Sequence, residues 1–161
     1  MRHRKAGRKL KRTASHKKAT LIALSTALLR HKKIRTTVAK AKETRSFVEK
    51  LITRAKNAVA RESSGGPKDI HARREVARYI ADRSVLKELF AEIAPKVLSR
   101  PGGYTRVVKL GQRQGDSAEV AILELVDYNT GVAAGKKSEK EHKEGKEKKE
   151  KKEEKGKKEK K

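Results

Sequence analysis

Apolar side chains are almost absent from the first twenty residues and then recur at helical spacing. Leu21, Leu24 and Leu28, with Ile22 and Leu29 beside them, form a stripe that predicts a helix. Ser15 is placed to cap it, and Arg30, His31, Lys32 and Lys33 supply the cations that favour a helix C-terminus. The pattern then switches to alternation. Ile34, Thr36 and Val38 fall on one face of a short β-branched strand, after which Thr36 or Thr37 caps a long second helix. In that helix Ala41, Val48, Leu51, Ile52, Ala55, Ala58 and Val59 bury one stripe.

Residues 62–68, with Ser63, Ser64, Gly65, Gly66 and Pro67, read as a loop, because Gly-Gly-Pro breaks a helix. Asp69 opens a short helix carrying Ile70, Val76, Ala77 and Ile80. Asp82 opens another, carrying Val85, Leu86, Leu89, Phe90 and Ile93, until Pro95 disturbs it. Arg100-Pro101-Gly102-Gly103 turns the chain into two β-branched stretches, residues 104–110 and 119–126, separated by a polar loop over 111–117. The fold class that follows is α+β, with helices packed on one face of a small three-stranded sheet. The early strand joins the late pair in that sheet. An extended basic arm over residues 1–14 precedes this single domain, residues 15–128, and a low-complexity tail over 129–161 follows it.

Charge sharpens the division. The chain of 161 residues carries 45 Lys or Arg against 20 Asp or Glu, a net +25, and only 34% of it is apolar, so the core is confined to part of the chain. Fifteen of the cations precede the first acid, Glu43, an asymmetry that repels itself unless a polyanion lies against it. Between Glu43 and Gly135 the signs are balanced, sixteen basic to twelve acidic, as expected of a folded body. Residues 136–161 hold fourteen Lys, eight Glu and no apolar side chain, so they have nothing to bury; disorder is the expectation, against a solvated Glu/Lys helix that Gly145 and Gly156 weaken. A basic, acid-poor start is also the composition of an organelle transit peptide, but here it leads directly into a helix and strand that the body needs.

Catalytic and cofactor signals are weak. No cysteine is present, so there is neither a disulfide framework nor a thiolate ligand set, and the five His lack paired metal-ligand spacing. Residues 131–137 resemble a phosphate-binding loop but are one residue short, carry Lys where a magnesium-holding hydroxyl belongs, and precede no amphipathic helix. His3, His16 and His31 have no carboxylate nearby in sequence to orient them, and His71 with Glu75 one turn on is a pairing expected by chance in so charged a chain. No cofactor, metal or small-molecule substrate is implied, and no apolar run approaches the roughly 20 residues of a membrane span. The expected partner is folded RNA, whose phosphate strands an extended arm threads between; aromatic stacking has little to offer, since Phe47 and Phe90 belong to apolar helix faces.

Three separated segments resemble the bacterial large-subunit ribosomal protein seventeen family. They are residues 1–10 running through Ser15-His16, the stretch from Ile34 to Arg45 with Ile34, Thr36, Lys40 and Arg45 in the expected places, and residues 100–106 with Lys109-Leu110-Gly111 and Arg113-Gln114-Gly115-Asp116. Together they cover residues 1 to about 128 in order. The resemblance implies a structural protein of the bacterial-type large ribosomal subunit, cytoplasmic and without catalysis. It would bind large-subunit ribosomal RNA near the nascent-chain exit, beside large-subunit proteins twenty-two and thirty-two. Carried over by position, the RNA contacts it implies are Arg2, His3, Arg4, Lys5, Arg8, Lys9, Lys11 and Arg12 of the arm, His16, Lys17 and Lys18 of the first helix, and Thr36, Lys40 and Arg45 near the second. A free DNA-compacting protein and a small enzyme are the rival readings.

Overall fold

The computed structural model describes residues 7–128. The helical stripe becomes α1 (Ala14–His31), which buries Leu21, Ser25, Leu28 and Leu29. The buried Ser25 hydroxyl is satisfied within the helix, donating to the Leu21 carbonyl at 2.7 Å. Thr13, not Ser15, is the N-cap, and its side chain makes no capping bond. Ser15 sits inside the first turn, because the chain enters the helix two residues earlier than its hydroxyl pattern suggested. At the other end Lys32 adopts the left-handed conformation usually left to glycine (φ 64), with its N–H on the Leu28 carbonyl at 2.7 Å. Its ammonium repays the strain by reaching the Leu29 carbonyl at 2.6 Å and pairing with Glu88.

β1 (Lys33–Thr37) leads directly into α2 (Val38–Ser63), so Val38 belongs to the helix rather than the strand, with Thr37 as N-cap. Val38 is buried in either state, which is why alternation alone mistook its element. α3 (Ile70–Ala77) and α4 (Arg83–Glu88) begin where the aspartates indicated: Asp69 accepts from the Ala72 N–H and Asp82 from the Ser84 N–H, each at 2.9 Å. Ile80 lies beyond α3 but is buried in the turn that follows it. Pro95 disturbs the last rod, as expected, without ending it at once. α4 runs on through a π-helical turn (Leu89–Ile93) into α5 (Ala94–Lys96), whose start holds the proline. A proline ring collides with the preceding turn and lacks an N–H, and widening that turn accommodates both.

β2 (Thr105–Gln112) and β3 (Glu119–Leu125) complete an antiparallel sheet in the order β1-β3-β2, with β3 in the middle. Gly111 lies within β2, not in the loop: the register steps from Lys109 opposite Ala121 to Gly111 opposite Val120, so Leu110 is bulged out, and Gly111 takes φ +103. Tyr104 precedes the strand and is buried, and Val126 opens a 3-10 turn (Val126–Tyr128). One sheet face meets the helices: Ala121, Leu123 and Leu125 of β3 join Val48, Leu51, Ile52, Ala55 and Ala58 of α2, Val76 of α3, Leu28 of α1 and Phe90 in a single core. Phe47 packs against that core edge-on to Tyr79, 5.5 Å between ring centroids, so both phenylalanines serve the interior.

Candidate nucleic-acid interface

Gly7 to Thr13 is not a free strand. The Arg8 N–H donates to Glu43 Oε1 at 2.9 Å, Lys17 Nζ lies 3.4 Å from Glu43 Oε2, and the Arg12 guanidinium reaches the Thr20 hydroxyl on α1. Between these ties the chain makes a tight turn, the Arg12 N–H on the Lys9 carbonyl at 3.2 Å with Leu10 and Lys11 both at positive φ. The expectation of an extended arm up to residue 14 is therefore corrected over residues 7–13, where Glu43 of α2 holds Arg8 and Thr20 of α1 holds Arg12. Lys9 and Lys11 stay exposed. Arg2, His3, Arg4 and Lys5 lie outside the described residues. His16, Lys17 and Lys18 follow on the first turns of α1, with Lys18 placed over the Tyr79 ring at 5.8 Å.

Thr36 and Lys40 come together at the β1–α2 junction. With Arg35, Thr37, Arg113 and Val120 they line a hollow of about 460 Å³. No acid lies in the first turn of α2 and the Thr37 side chain leaves the helix N–H groups uncapped, so the positive end of the helix dipole and the cations Arg35, Lys40 and Arg113 share one concavity. Arg113 is oriented by Asp116 through two bonds, 3.0 Å from Nε and 2.5 Å from Nη2. The Arg113 contact holds the Asp116 carboxyl down to about 2 and raises the guanidinium's own pKa in turn.

Arg45 is not part of that hollow. It faces a larger, more open groove of about 790 Å³ between α2 and α3, whose cations are mostly neutralised: Arg45 by Glu49 at 3.3 Å, Arg54 by Glu75 at 2.9 Å and Arg61 by Asp69 at 3.1 Å. Lys42 and Lys50 add charge at its rim, so its lining holds five Lys or Arg against three acids, whereas the smaller hollow is lined by three cations and no acid and is the more concentrated anion site. His71 and Glu75 approach to 3.8 Å on this groove, with the His side chain 84% exposed, a surface pair rather than a general-base arrangement. Among the described residues no cluster of His, Cys, Asp or Glu has the geometry to hold a metal ion, and no helix is long and apolar enough to cross a membrane.

Arg35, Arg113, Lys33 and Arg106 were not among the RNA contacts expected from the sequence. Strand alternation held the signal for three of them. Lys33 and Arg106 both lie opposite Glu124 and Arg35 lies opposite Ile122, so they share the sheet face away from the helices, alongside the half-exposed Val108. Arg113 reaches the β1–α2 junction only through the fold.

A family model described as ribosomal protein L17 matches residues 20–126. The large ribosomal subunit protein bL17 of Salinibacter ruber is 56% identical over 129 residues, 80% of this chain and 60% of that protein. That of Chlorobium phaeobacteroides is 54% identical over 129 residues, 80% of this chain and 72% of the relative. That of Chlorobium luteolum is 49% identical over 140 residues, 87% and 76%. The chain thus spans somewhat less than two thirds of the length of the Salinibacter protein.

Proposed function

The chain belongs to the ribosomal protein L17 family, and from that membership we propose that it is a structural constituent of the large ribosomal subunit that binds and stabilises folded large-subunit ribosomal RNA. It works in translation as a component and not as an enzyme. The finer reading places it in the cytoplasm, near the nascent-chain exit, beside large-subunit proteins twenty-two and thirty-two. In this reading the protein has three parts: an RNA-binding arm over residues 1–14, a body over 15–128, and a tail over 129–161 whose mixed charge is weakly attractive and easily screened.

The observation that carries the RNA reading is the charge partition together with its geometry. Fifteen cations precede the first acid, and the cations of the arm and first helix adjoin a second cluster at the uncapped start of α2. Phosphate neutralisation with counterion release supplies affinity at both places. The arm residues Arg2, His3, Arg4, Lys5, Arg8, Lys9, Lys11 and Arg12, then His16, Lys17 and Lys18, are assigned to phosphate strands. Thr36 and Lys40, with Arg35 and Arg113, are assigned to a phosphate at the α2 N-terminus, and Arg45 to a flanking contact. Sedimentation of a cell lysate at moderate salt, followed by RNA crosslinking of the intact large subunit, tests this. The protein is expected to travel with large subunits and to crosslink through these residues. Recovery with DNA would overturn the assignment in favour of a nucleoid protein.

A further inference from the structure

We propose that Glu43 is a positioning residue for RNA binding: a carboxylate that strengthens attachment to a polyanion by fixing the arm on the body. The inference rests on the reading of the arm as an RNA contact. Long-range electrostatics alone gives the opposite sign, since Glu43 is a negative charge set among cations and repels phosphate.

Both oxygens are nevertheless committed. Oε1 accepts the Arg8 backbone N–H at 2.9 Å, Oε2 faces Lys17 Nζ at 3.4 Å, and the side chain is only 18% exposed. The chain is fitted to it. Gly7 has φ +85, so an L side chain at this position is strained in backbone, and a Cβ there would stand in contact with Oε2 at 3.4 Å. One residue of α2 therefore ties together the arm, through Arg8, and α1, through Lys17, at the point where residues 7–8 meet the body.

Ordering cations before the ligand arrives reduces the conformational entropy lost on binding, and that gain is local. The repulsion from a single carboxylate is shared by solvent, salt and the adjacent Lys17 ammonium, and is screened over about 8–10 Å. Preorganisation therefore outweighs repulsion.

The test compares full-length protein with Glu43→Gln and Glu43→Ala, and with Glu92→Gln as a charge-matched control on the exposed side of the π-helical turn. Affinity for a large-subunit ribosomal RNA transcript is measured at moderate salt, together with amide exchange at Arg8 and the thermal midpoint. Glu43→Gln, which keeps an acceptor for Arg8 but loses the charge facing Lys17, is expected to weaken binding about three- to tenfold, and Glu43→Ala by more. The Arg8 amide should lose its protection in Glu43→Ala and part of it in Glu43→Gln, where a neutral oxygen replaces a charged acceptor, while the thermal midpoint holds, and Glu92→Gln should bind as tightly as the parent or slightly tighter. Should Glu43→Ala fail to fold, the isosteric Glu43→Gln decides. Equal or tighter RNA binding by Glu43→Gln overturns the proposal, as does unchanged protection of Arg8 in Glu43→Ala. A parent protein that does not prefer the ribosomal RNA overturns the functional reading instead, and the Arg8 exchange still decides whether Glu43 holds the arm.

Discussion

Thr105, the first residue of β2, donates its hydroxyl to Glu49 of α2 at 2.9 Å, and the same carboxylate oxygen receives Arg45 Nε at 3.3 Å. One acid thus joins the long helix to the sheet and occupies a candidate RNA contact. Its two roles separate on mutation. Thr105 is only 4% exposed, so Glu49→Ala strands a buried hydroxyl and should cost about 1–3 kcal/mol, seen as a lower thermal midpoint. The Arg45 pair is half-exposed and contributes little to stability. Releasing Arg45 should leave RNA affinity unchanged or raised. A loss of affinity in folded Glu49→Ala would mean that Glu49 positions Arg45 for RNA and does not compete with RNA for it.

Gly66 is required for a different reason from the glycines at positive φ. A Cβ on it would lie 2.7 Å from the Arg61 carbonyl oxygen, the same oxygen that accepts the Gly66 N–H at 3.1 Å at the end of α2. A backbone oxygen there has no cheap way to move. Gly66→Ala should destabilise the protein by about 1–2 kcal/mol, roughly 3–10 °C in the thermal midpoint. Gly102→Ala, whose Cβ meets nothing within 4 Å, serves as the comparison and should change little. Equal midpoints for the two variants would contradict the packing argument.

The β2–β3 loop has a defined acid response. Arg113 lowers the Asp116 carboxyl from an ordinary 3.8 to about 2, so the contact is fully present above pH 3.8 and is lost as the pH falls through about 2. Glu62 behaves in the same direction, held below its ordinary value first by Arg73, whose Nη2 donates to both carboxylate oxygens, and then by the Asp69 N–H. Both groups are at the surface, so the loop should loosen without a matching loss of global stability. An NMR titration of the Asp116 carboxyl carbon checks this, and a midpoint at or above 3.8 would show that Arg113 does not hold it.

Elements and core were legible because local rules and tertiary packing agree here. Helical spacing marked α1 and α2, and Asp69 and Asp82 each cap a helix through the bond their residue type predicts. Boundaries slipped where one residue satisfies two patterns: Val38 is buried as strand or helix, and Gly111 is a loop residue by type but pairs with Val120 beyond the bulge at Leu110. Pro95 disturbs its helix as its residue type predicts, through a π-helical turn that lets the rod run on to Lys96. The site was half legible. Runs of cations announce themselves, whereas the hollow that joins Arg113 to Arg35 and Lys40 exists only once β3 brings the β2–β3 loop beside the start of α2. Glu43 gave a signal that pointed the wrong way, since an acid ending a basic block looks like a boundary and proves to be an anchor.

The central claim is that arm cations supply the charge for RNA binding while the body supplies shape, and the salt dependence of binding tests it most directly. If six to ten phosphates are neutralised, affinity for a large-subunit RNA transcript should fall by about three to five decades between roughly 50 and 200 mM salt. Deleting residues 2–12 removes Arg2, Arg4, Lys5, Arg8, Lys9, Lys11 and Arg12. The account predicts that affinity and the slope of log affinity against log salt drop together, while the body keeps a cooperative thermal transition. An unchanged slope after truncation would mean that these seven cations are merely solvated, and that the RNA-binding surface lies on the folded body.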